Sequence, residues 1–524
     1  MALPADNSSF PPAEQTDRYS RMATNSIWYG GDPARLTSLY GGDINVSHRS
    51  QKNIISRVFD WFWGQSDPTQ LDDKVHLPVA QDIAQMSAEL LFAESPRFVV
   101  QPIIFDDDGN VSDEHRLVVE RTQRRLDDLL ASMDFESTLL SAAETSAAIG
   151  NVGFRIGYDT QGMTKPVISR IDGDAIVPEY RFGQLVALTF WEVLETNGET
   201  IIYHLERHEI GQVEHAVYKG VRGNLGTRIP LNTRPEMRGI VETTNNTGII
   251  FTSVGRMNAV SVPNMLPDPL DRKSNSGRSD FSPGVLTQFD AVDKTITSLM
   301  RDIKDGRSRL LIADYMLSGK GLGEGVEFDG DQHMFTRLKR QPPDMSEPPI
   351  DQVQFKIRVD EHLKTLDYLI NRAVKSCGYN TDTEIGEGGG DMTATEYAGR
   401  AKKSLATRSK KLRYFGALEA LIETLLHVDA DVFNSGVTPL PVKMEAASAM
   451  QVSEKMLADT VEVMSRSKAA SREVLVRTLH PEWSQDMVDE EVDTLLEESG
   501  VGDPEIVPGV AGDVLPATDA RDDV

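Results

Sequence analysis

The sequence predicts an α+β protein in which helices and antiparallel strands occupy separate stretches of the chain. Residues 152–221 alternate short apolar strand patterns with turn residues. Two amphipathic helical segments, 284–305 and about 355–376, flank a shorter insertion with strand patterns over 309–313 and 326–328. A third helical pattern, which starts at residue 393, is unusually long. No catalytic motif lies on any of these segments.

The N-terminal region, residues 1–50, is expected to be flexible because its first part is polar and contains several prolines. Within it, Asp32 and Pro33 have the pattern of a helix N-cap followed by an N1 proline. The short helix that they predict ends near Gly41.

Between residues 77 and 221 the pattern changes from helix to strand. Residues 77–94 predict an amphipathic helix, 98–100 a strand and 113–149 two further helices that end at Gly150. The strands predicted after them cover 152–158, 165–171, 185–193, 201–208 and 215–218. Residues 222–283 are rich in Gly, Asn, Pro and Ser, and only one strand, near 249–254, is predicted there.

Residues 281–377 predict two helices that can form a hairpin. Ser282 and Pro283 open the first, which should be about 33 Å long over 284–305. The second ends at Gly378, which has the position of a C-cap. Because the two helices have matched lengths and flank an insertion, they are expected to pack side by side.

An acidic, glycine-rich loop follows the second helix. It covers 379–392 and contains no basic residue. Thr393 and Glu396 then form a capping box. The helix that they open could continue to His427, which corresponds to about 50 Å.

The first half of this long helix is basic. Either its cations are solvated or paired with acidic neighbours, which is the simpler interpretation, or they contact DNA or an acidic neighbouring subunit. The candidates for such contacts are Arg400, Lys402, Lys403, Lys410 and Lys411.

The C-terminal part predicts three helices, over 446–464, 471–479 and 486–498. Residues 500–524 are rich in Gly, Pro, Ala and Asp and are expected to be disordered.

The net charge of −27 is uneven along the chain. Residues 481–524 contain 14 acidic residues and one basic residue, Arg521, which gives −13. This excess argues against non-specific adhesion to DNA or to an anionic membrane. An excess of negative charge suits a surface along which DNA moves without binding.

The sequence offers no recognisable catalytic or cofactor chemistry, and we expect no enzyme activity, cofactor or metal. It lacks a P-loop and a nucleophile elbow. The glycine-rich loop has carboxylates and no lysine, so it would repel phosphate. His204 and His208 lie about 13 Å apart on a predicted strand, too far to share one metal. The ten histidines show no cluster, and the single cysteine, Cys377, is interpreted as a packed thiol.

Four segments in a fixed order resemble the portal proteins of tailed double-stranded DNA phages, of the siphophage type. They are HLPVA at 76–80 followed by AELLF at 88–92, GRSDF at 277–281, DMTATE at 391–396 and LHPEW at 479–483. The resemblance covers about residues 50–500.

This resemblance implies a ring, usually of twelve subunits, at one capsid vertex. DNA enters the capsid through its channel during packaging and leaves through it at infection. The implied divisions are a wing over 51–280, a first stem helix over 281–306, a clip over 307–350, a second stem helix over 351–377, a tunnel loop over 378–392, the long helix and the rest of the wing over 393–443, and a crown over 444–499.

The resemblance also implies site residues and partners. The tunnel loop would line the channel with Asp382, Glu384, Glu387, Gly388, Gly389, Gly390 and Asp391. The implied partners are further copies of the chain, DNA in transit, the terminase large subunit, a head–tail adaptor, and the major capsid and scaffold proteins. The alternatives are another virion component, such as a capsid or baseplate protein, and a packaging enzyme, which the missing P-loop disfavours.

Overall fold

The structure is a computed structural model that describes residues 3–41, 74–103, 112–158, 162–244, 247–252, 255–305, 309–312, 318–319, 326–327, 350–353, 357–380, 394–446, 461–462, 464–467, 470–480 and 485–498. The chain divides into two compact units, residues 1–449 and 450–524. The predicted class is confirmed, since helices and antiparallel sheets are both present.

The described helices of the first unit are α1 (Thr16–Gly30), α2 (Pro33–Gly41), α3 (Val79–Phe92), α4 (Asp113–Ser132), α5 (Phe135–Ile149), α6 (Arg238–Thr244), α7 (Pro283–Asp305), α8 (Val359–Cys377), α9 (Ala394–Phe415) and α10 (Ala417–Asp431). No helix in the described part of the chain is long and apolar enough to span a membrane.

The described strands are β1 (Arg97–Val100), β2 (Asn151–Gly157), β3 (Val167–Asp172), β4 (Ile176–Arg181), β5 (Gln184–Asn197), β6 (Thr200–Glu209), β7 (Gln212–Val221), β8 (Asn224–Ile229), β9 (Ile249–Phe251), β10 (Ala259–Pro263), β11 (Arg309–Ile312), β12 (Ser318–Gly319), β13 (Val326–Glu327), β14 (Ile350–Val353) and β15 (Val442–Glu445).

The predicted antiparallel region is divided between two sheets. One has the strand order β10-β2-β3, and the other has the order β4-β5-β6-β7-β8 with β9 also paired to β7. Strands β4, β8, β10, β12, β14 and β15 were not predicted. Pro178 interrupts the alternating pattern of β4 and Gly226 that of β8, and β10 is a short strand that ends at Pro263, so that only the pairing with neighbouring strands identifies them.

Short antiparallel pairs complete the described strands. Strand β1 pairs with β15, β11 with β14, and β12 with β13. The last two pairs fall in the insertion between α7 and α8. The strand patterns predicted over 309–313 and 326–328 correspond to β11 and β13.

Two large apolar cores lie in the first unit. One joins α1, α3, α7 and α8 with the inner face of the larger sheet, through side chains such as Trp28, Phe289 and Leu205. The other packs α4, α5 and α10 around β1 and β2, and includes Phe135, Phe154 and Phe415. Residue burial in these cores follows the helical and strand periodicities of the sequence.

The prediction of a flexible N-terminal region is wrong for residues 3–41. Helices α1 and α2 are packed, and the indole of Trp28 is 1% exposed with its ring centroid 5.8 Å from that of Phe289. Phe10 packs edge-on against Trp191 at 5.5 Å. The few apolar residues of this polar segment find their partners in elements far along the chain, and the local composition does not reveal this.

The predicted long helix is divided. Helix α9 ends at Phe415 and α10 begins at Ala417, with Gly416 between them. Glycine is a weak helix former because it loses the most backbone freedom on folding. The apolar stripe continues through the break, which explains why the pattern suggested one element.

The second unit contains the described helices α11 (Arg472–Leu479) and α12 (Gln485–Glu498). The hydroxyl of Ser471 caps α11 by accepting from the backbone N–H of Val474. The guanidinium of Arg472 donates to the Leu495 carbonyl of α12 at 3.1 Å. The helix predicted over 446–464 and the tail after 498 lie largely outside the described residues.

Candidate functional site

Helices α7 and α8 pack side by side as an antiparallel hairpin. At one end, Nε2 of His362 lies 3.1 Å from a carboxylate oxygen of Asp302, and Arg358 lies 3.7 Å from the same oxygen. At the other end, the hydroxyl of Tyr379, just after α8, donates to the carboxylate of Asp280, just before α7, at 2.7 Å. The second helix ends at Gly378 with φ 100°, the left-handed conformation that its predicted C-cap role requires.

Burial changes along the hairpin. Near its foot, the end that holds Asp280 and Tyr379, the apolar side chains of α7 and α8 are enclosed by the first core. Toward the other end, the distal half, apolar side chains are exposed: Met300 45%, Ile303 44%, Val359 37%, Leu363 46% and Tyr368 68%. The described residues of the protomer therefore leave an apolar surface on the distal half uncovered.

A buried ammonium group connects the foot of the hairpin to its surroundings. Lys411 of α9 is 1% exposed, and its Nζ donates to Oδ2 of Asp280 at 2.7 Å, to the hydroxyl of Tyr379 at 2.7 Å and to the hydroxyl of Ser87 at 2.8 Å. We call these four residues the Lys411 cluster. All three N–H groups of the ammonium have acceptors, so the buried charge is fully hydrogen-bonded.

The remaining groups of the cluster are also paired. The other oxygen of Asp280 accepts from the side-chain amide of Asn264 at 2.9 Å. Burial raises the pKa of Tyr379 well above its usual value, and the nearby charge of Asp280 adds to this effect. Burial lowers the pKa of Lys411, and the Asp280 carboxylate counteracts that shift. Tyr379 therefore stays a hydrogen-bond donor to Asp280 over the accessible pH range.

The segment after α8 lies along one face of α9. The Thr407 hydroxyl donates to the Gly378 carbonyl at 2.7 Å, and the Asn380 backbone N–H donates to the Ser404 hydroxyl at 3.0 Å. The ammonium of Lys403 donates to the Lys375 carbonyl. These contacts hold the start of the acidic loop against the helix that follows the loop.

The structure corrects one of the predicted contact residues. Lys411 is buried and paired with Asp280, so it does not contact DNA or a neighbouring subunit. Lys402, Lys403 and Lys410 have exposed side chains on α9. The side chain of Arg400 lies outside the described residues, and so do the predicted loop residues Asp382, Glu384, Glu387, Gly388, Gly389, Gly390 and Asp391.

A second buried polar contact holds the middle of α7. Nδ1 of His76 lies 2.8 Å from one oxygen of Asp293, and the backbone N–H of Leu77 donates to the other oxygen at 2.9 Å. Both ionisable side chains are buried. The segment before α3, in which the sequence showed HLPVA, thus fixes this part of the hairpin.

The larger sheet contains a histidine cluster that the sequence did not predict. His204 and His208 of β6 lie on one sheet face with His215 of β7, and Nε2 of His204 is 3.2 Å from Nδ1 of His215. Nε2 of His208 is 2.6 Å from the carboxylate of Glu206, which also accepts from Arg155 of the smaller sheet. We call these five residues the histidine cluster. The expectation that the histidines are scattered is therefore wrong, because the register of two strands brings three of them together.

The histidine cluster is a charge network buried between two sheets. Burial lowers the pKa of His215 to about 4. Burial alone would raise the pKa of Glu206, but the hydrogen bond from His208 and the charges of His208 and Arg155 outweigh it and hold this pKa well below its usual value. Among the described residues, no group of three or more His, Cys, Asp or Glu side chains is arranged to hold a metal ion.

Cys377 sits beside the Lys411 cluster. Its thiol is buried and contacts the Asp280 carbonyl at 3.5 Å. Burial raises the pKa of this thiol, which keeps it protonated and unreactive. The arrangement at the foot of the hairpin therefore holds elements together, and the Cys377 thiol packs within it.

The comparisons with known proteins address the whole chain. No curated protein matches it in sequence. Among solved structures, a chain from the virion of a native gene transfer agent particle is similar, with a TM-score of 0.40 and 11% identity, over 79% of this chain and 94% of that chain. The family model "Phage portal protein, SPP1 Gp6-like" matches residues 10–503, nearly the whole sequence. The resemblance of the sequence motifs is thus confirmed, and this chain belongs to the SPP1 Gp6-like family of phage portal proteins.

Proposed function

We propose that copies of this portal protein form a ring, of about twelve subunits by the family resemblance, in which the α7–α8 hairpins stand side by side and wall a channel for double-stranded DNA. One observation carries the proposal: the foot of the hairpin is enclosed, whereas its distal half leaves apolar side chains uncovered. Such a surface favours burial against another protein surface. Neighbouring hairpins in a closed ring would supply that surface.

The domain assignments are part of the same proposal. Residues 281–306 and 351–377 are the stem, 307–350 the clip, 378–392 the tunnel loop and 444–499 the crown. Residues 51–280 and 393–443 make up the wing. The packing of α7 against α8 supports the stem assignment, since an antiparallel pair is what a stem hairpin requires.

The acidic loop is proposed to face the DNA path. Contacts with residues 404 and 407 hold its start at the foot of the hairpin. Carboxylates near the DNA would weaken phosphate contacts and ease sliding, because phosphate binding depends on cations. Lys402 and Lys410, exposed on α9, are proposed to meet an acidic surface of a neighbouring copy. The chain's net charge of −27 makes acidic surface abundant in such a ring.

The proposed role is structural, in the virion, at one capsid vertex. The clip would meet the terminase large subunit during packaging and a head–tail adaptor afterwards. The outer surface would meet the major capsid and scaffold proteins during assembly in the host cytoplasm. DNA would enter and leave through the channel.

Ring formation tests the proposal directly. The purified chain should form rings with a central hole, visible by electron microscopy and separable from protomers by size-exclusion chromatography. The variant Met300→Asp/Tyr368→Asp places charges on the exposed apolar surface of the distal half and should lose the rings. Both side chains are at least 45% exposed, so the protomer should fold normally.

A matched control uses an apolar residue that is exposed elsewhere. Phe251 of β9 is 78% exposed, and Phe251→Asp should assemble like the wild type. Rings of normal yield and diameter from the Met300/Tyr368 variant would contradict the proposal, and so would a wild-type chain that stays monomeric under varied salt.

A further inference from the structure

We infer that the Lys411 cluster is a positioning device that sets the angle at which the hairpin leaves the rest of the first unit. Only the consequence for the width of the channel rests on the proposed function. The orientation of the hairpin is a property of one protomer and can be tested on the protomer.

In the Lys411 cluster, one atom, Nζ of Lys411, bonds the chain segment that enters the hairpin and the segment that leaves it. Asp280 lies three residues before the start of α7, and Tyr379 lies two residues after the end of α8. Both side chains accept from the same ammonium at 2.7 Å, and Tyr379 in turn donates to Asp280 at 2.7 Å. The two helices of the hairpin therefore cannot move independently of Nζ of Lys411 without losing a hydrogen bond.

The cluster also ties the hairpin to elements outside it. Lys411 belongs to α9, and its third acceptor, Ser87, belongs to α3. The backbone N–H of Asp280 donates to the Ala147 carbonyl of α5 at 2.9 Å. The four side chains thus set the hairpin foot against α9 and α3, and the backbone of Asp280 adds a contact with α5.

Directionality separates this cluster from the apolar core around it. Apolar contacts are non-directional, so the core holds the hairpin but permits small rotations and slides. Hydrogen bonds weaken steeply as their angles deteriorate. A rotation of the hairpin would leave a 1%-exposed ammonium with an unused N–H group, which is costly in an apolar surrounding. The saturated cluster therefore selects one orientation among those that the apolar core allows.

The consequence for the proposed ring is geometric. The distal half of the hairpin is far from its foot, so a small rotation at Asp280 and Tyr379 becomes a larger displacement at Met300 and Leu363. In a ring of hairpins, such displacements would change the channel width. The cluster would keep the width uniform among copies.

A distance measurement on the full-length chain tests the inference. Spin labels are attached to cysteines introduced by Glu136→Cys on α5 and Lys364→Cys on α8, both at exposed positions. Cys377, whose buried thiol has a raised pKa, is replaced by Ala so that only these sites react. Labelled chains are diluted with unlabelled chains so that pulsed electron paramagnetic resonance reports distances within one protomer.

The double variant Asp280→Asn/Lys411→Met removes both charges together and leaves side chains of similar size. We expect it to fold cooperatively while the distribution of label-to-label distances becomes about twofold broader, because directional contacts at the foot are lost. The matched control is Arg125→Met/Asp429→Asn. It removes another ion pair with a fully buried carboxylate, between α4 and α10, away from the hairpin. It should keep the wild-type width.

An unchanged width in the Asp280/Lys411 variant overturns the inference, and so does equal broadening in the control. If the double variant does not fold, Tyr379→Phe takes its place, since it removes one hydroxyl and keeps the ion pair; broadening supports the inference and a wild-type width overturns it. The result is independent of ring formation, so a failure of the proposed function and a failure of this inference are distinguishable.

Discussion

The Lys411 cluster and the histidine cluster are both buried and charged, but they respond differently to protons. The first is built from a lysine, an aspartate and a tyrosine, and the second from histidines, a glutamate and an arginine. Histidine is the side chain whose ordinary pKa lies closest to neutrality. Because burial lowers the pKa of His215, the sheet is expected to lose stability under mild acid. The Lys411 cluster contains no histidine. Removal of one charged residue should nevertheless lower the free energy of unfolding most at the foot of the hairpin. There Lys411 and Asp280 are both buried, so water cannot replace the lost partner.

The largest expected effect comes from breaking the Lys411 cluster on one side only. Lys411→Met leaves the buried carboxylate of Asp280 without its cation. We expect the free energy of unfolding to fall by about 3–5 kcal/mol, the usual cost of an unpaired buried charge. Urea denaturation followed by circular dichroism measures it.

The neighbouring residue supplies the control for that experiment. Lys410→Met removes an exposed ammonium from the same helix and should change the free energy of unfolding by less than about 0.5 kcal/mol. Equal effects of the two substitutions would show that the cluster does not depend on its charge pair.

A smaller effect is expected from the pH dependence of the histidine cluster. The pKa of His215 is lowered from 6.5 to about 4 in the folded chain. The unfolded chain therefore binds more protons between these values, and stability is lost as pH falls below 6.5. Between pH 7 and pH 5 the loss assigned to His215 is about 2 kcal/mol, at about 1.4 kcal/mol for each pH unit inside the window.

The titratable and charged groups that face His215 are His204, His208, Glu206 and Arg155. The lowered pKa of Glu206 makes its contribution disappear only below about pH 4.5, its ordinary value. The comparison of wild type with His215→Asn in urea titrations at pH 7 and pH 5 isolates the effect of His215. The variant should show the smaller pH dependence, and an identical dependence in both proteins would refute the assignment.

The smallest effect on the free energy of unfolding is expected from Glu192, which lies on the solvent side of the histidine cluster. The side chain of Glu192 is 62% exposed, although its carboxylate lies 2.9 Å from Nδ1 of His204. Exposed ion pairs contribute little because water and salt screen them. Glu192→Gln should therefore lower the free energy of unfolding by at most about 1 kcal/mol. A larger loss would mean that the cluster is more tightly coupled than its exposure indicates.

The elements of the hairpin could be predicted because their signals are local. Pro283 opens α7, Gly378 ends α8, and apolar residues recur at helical spacing between them. The strands of the larger sheet were found for the same reason, as far as their alternation is regular. Strand β10 escaped because it is short and lies in a region, 222–283, that is rich in polar and turn residues, so that only its pairing with β2 identifies it.

The contacts of the Lys411 cluster and of the histidine cluster could not be predicted from the sequence. Lys410 and Lys411 are adjacent and chemically identical, yet one is exposed and the other is enclosed by Asp280, Tyr379 and Ser87. His215 lies beside Glu206 only because β6 and β7 pair in a particular register. The acidic loop, residues 379–392, was predicted from composition, and its contact with DNA stays a prediction.

Helix and strand positions, the hairpin, and the strong acidity of the chain follow from the residues in order along it, because backbone preferences and apolar periodicity act over a few neighbours. The burial of Lys411 and the packing of residues 3–41 depend on segments more than a hundred positions apart. The gathering of the histidines depends on the register of two neighbouring strands. Burial and ion pairing are properties of surroundings in space, and only the folded chain assembles those surroundings.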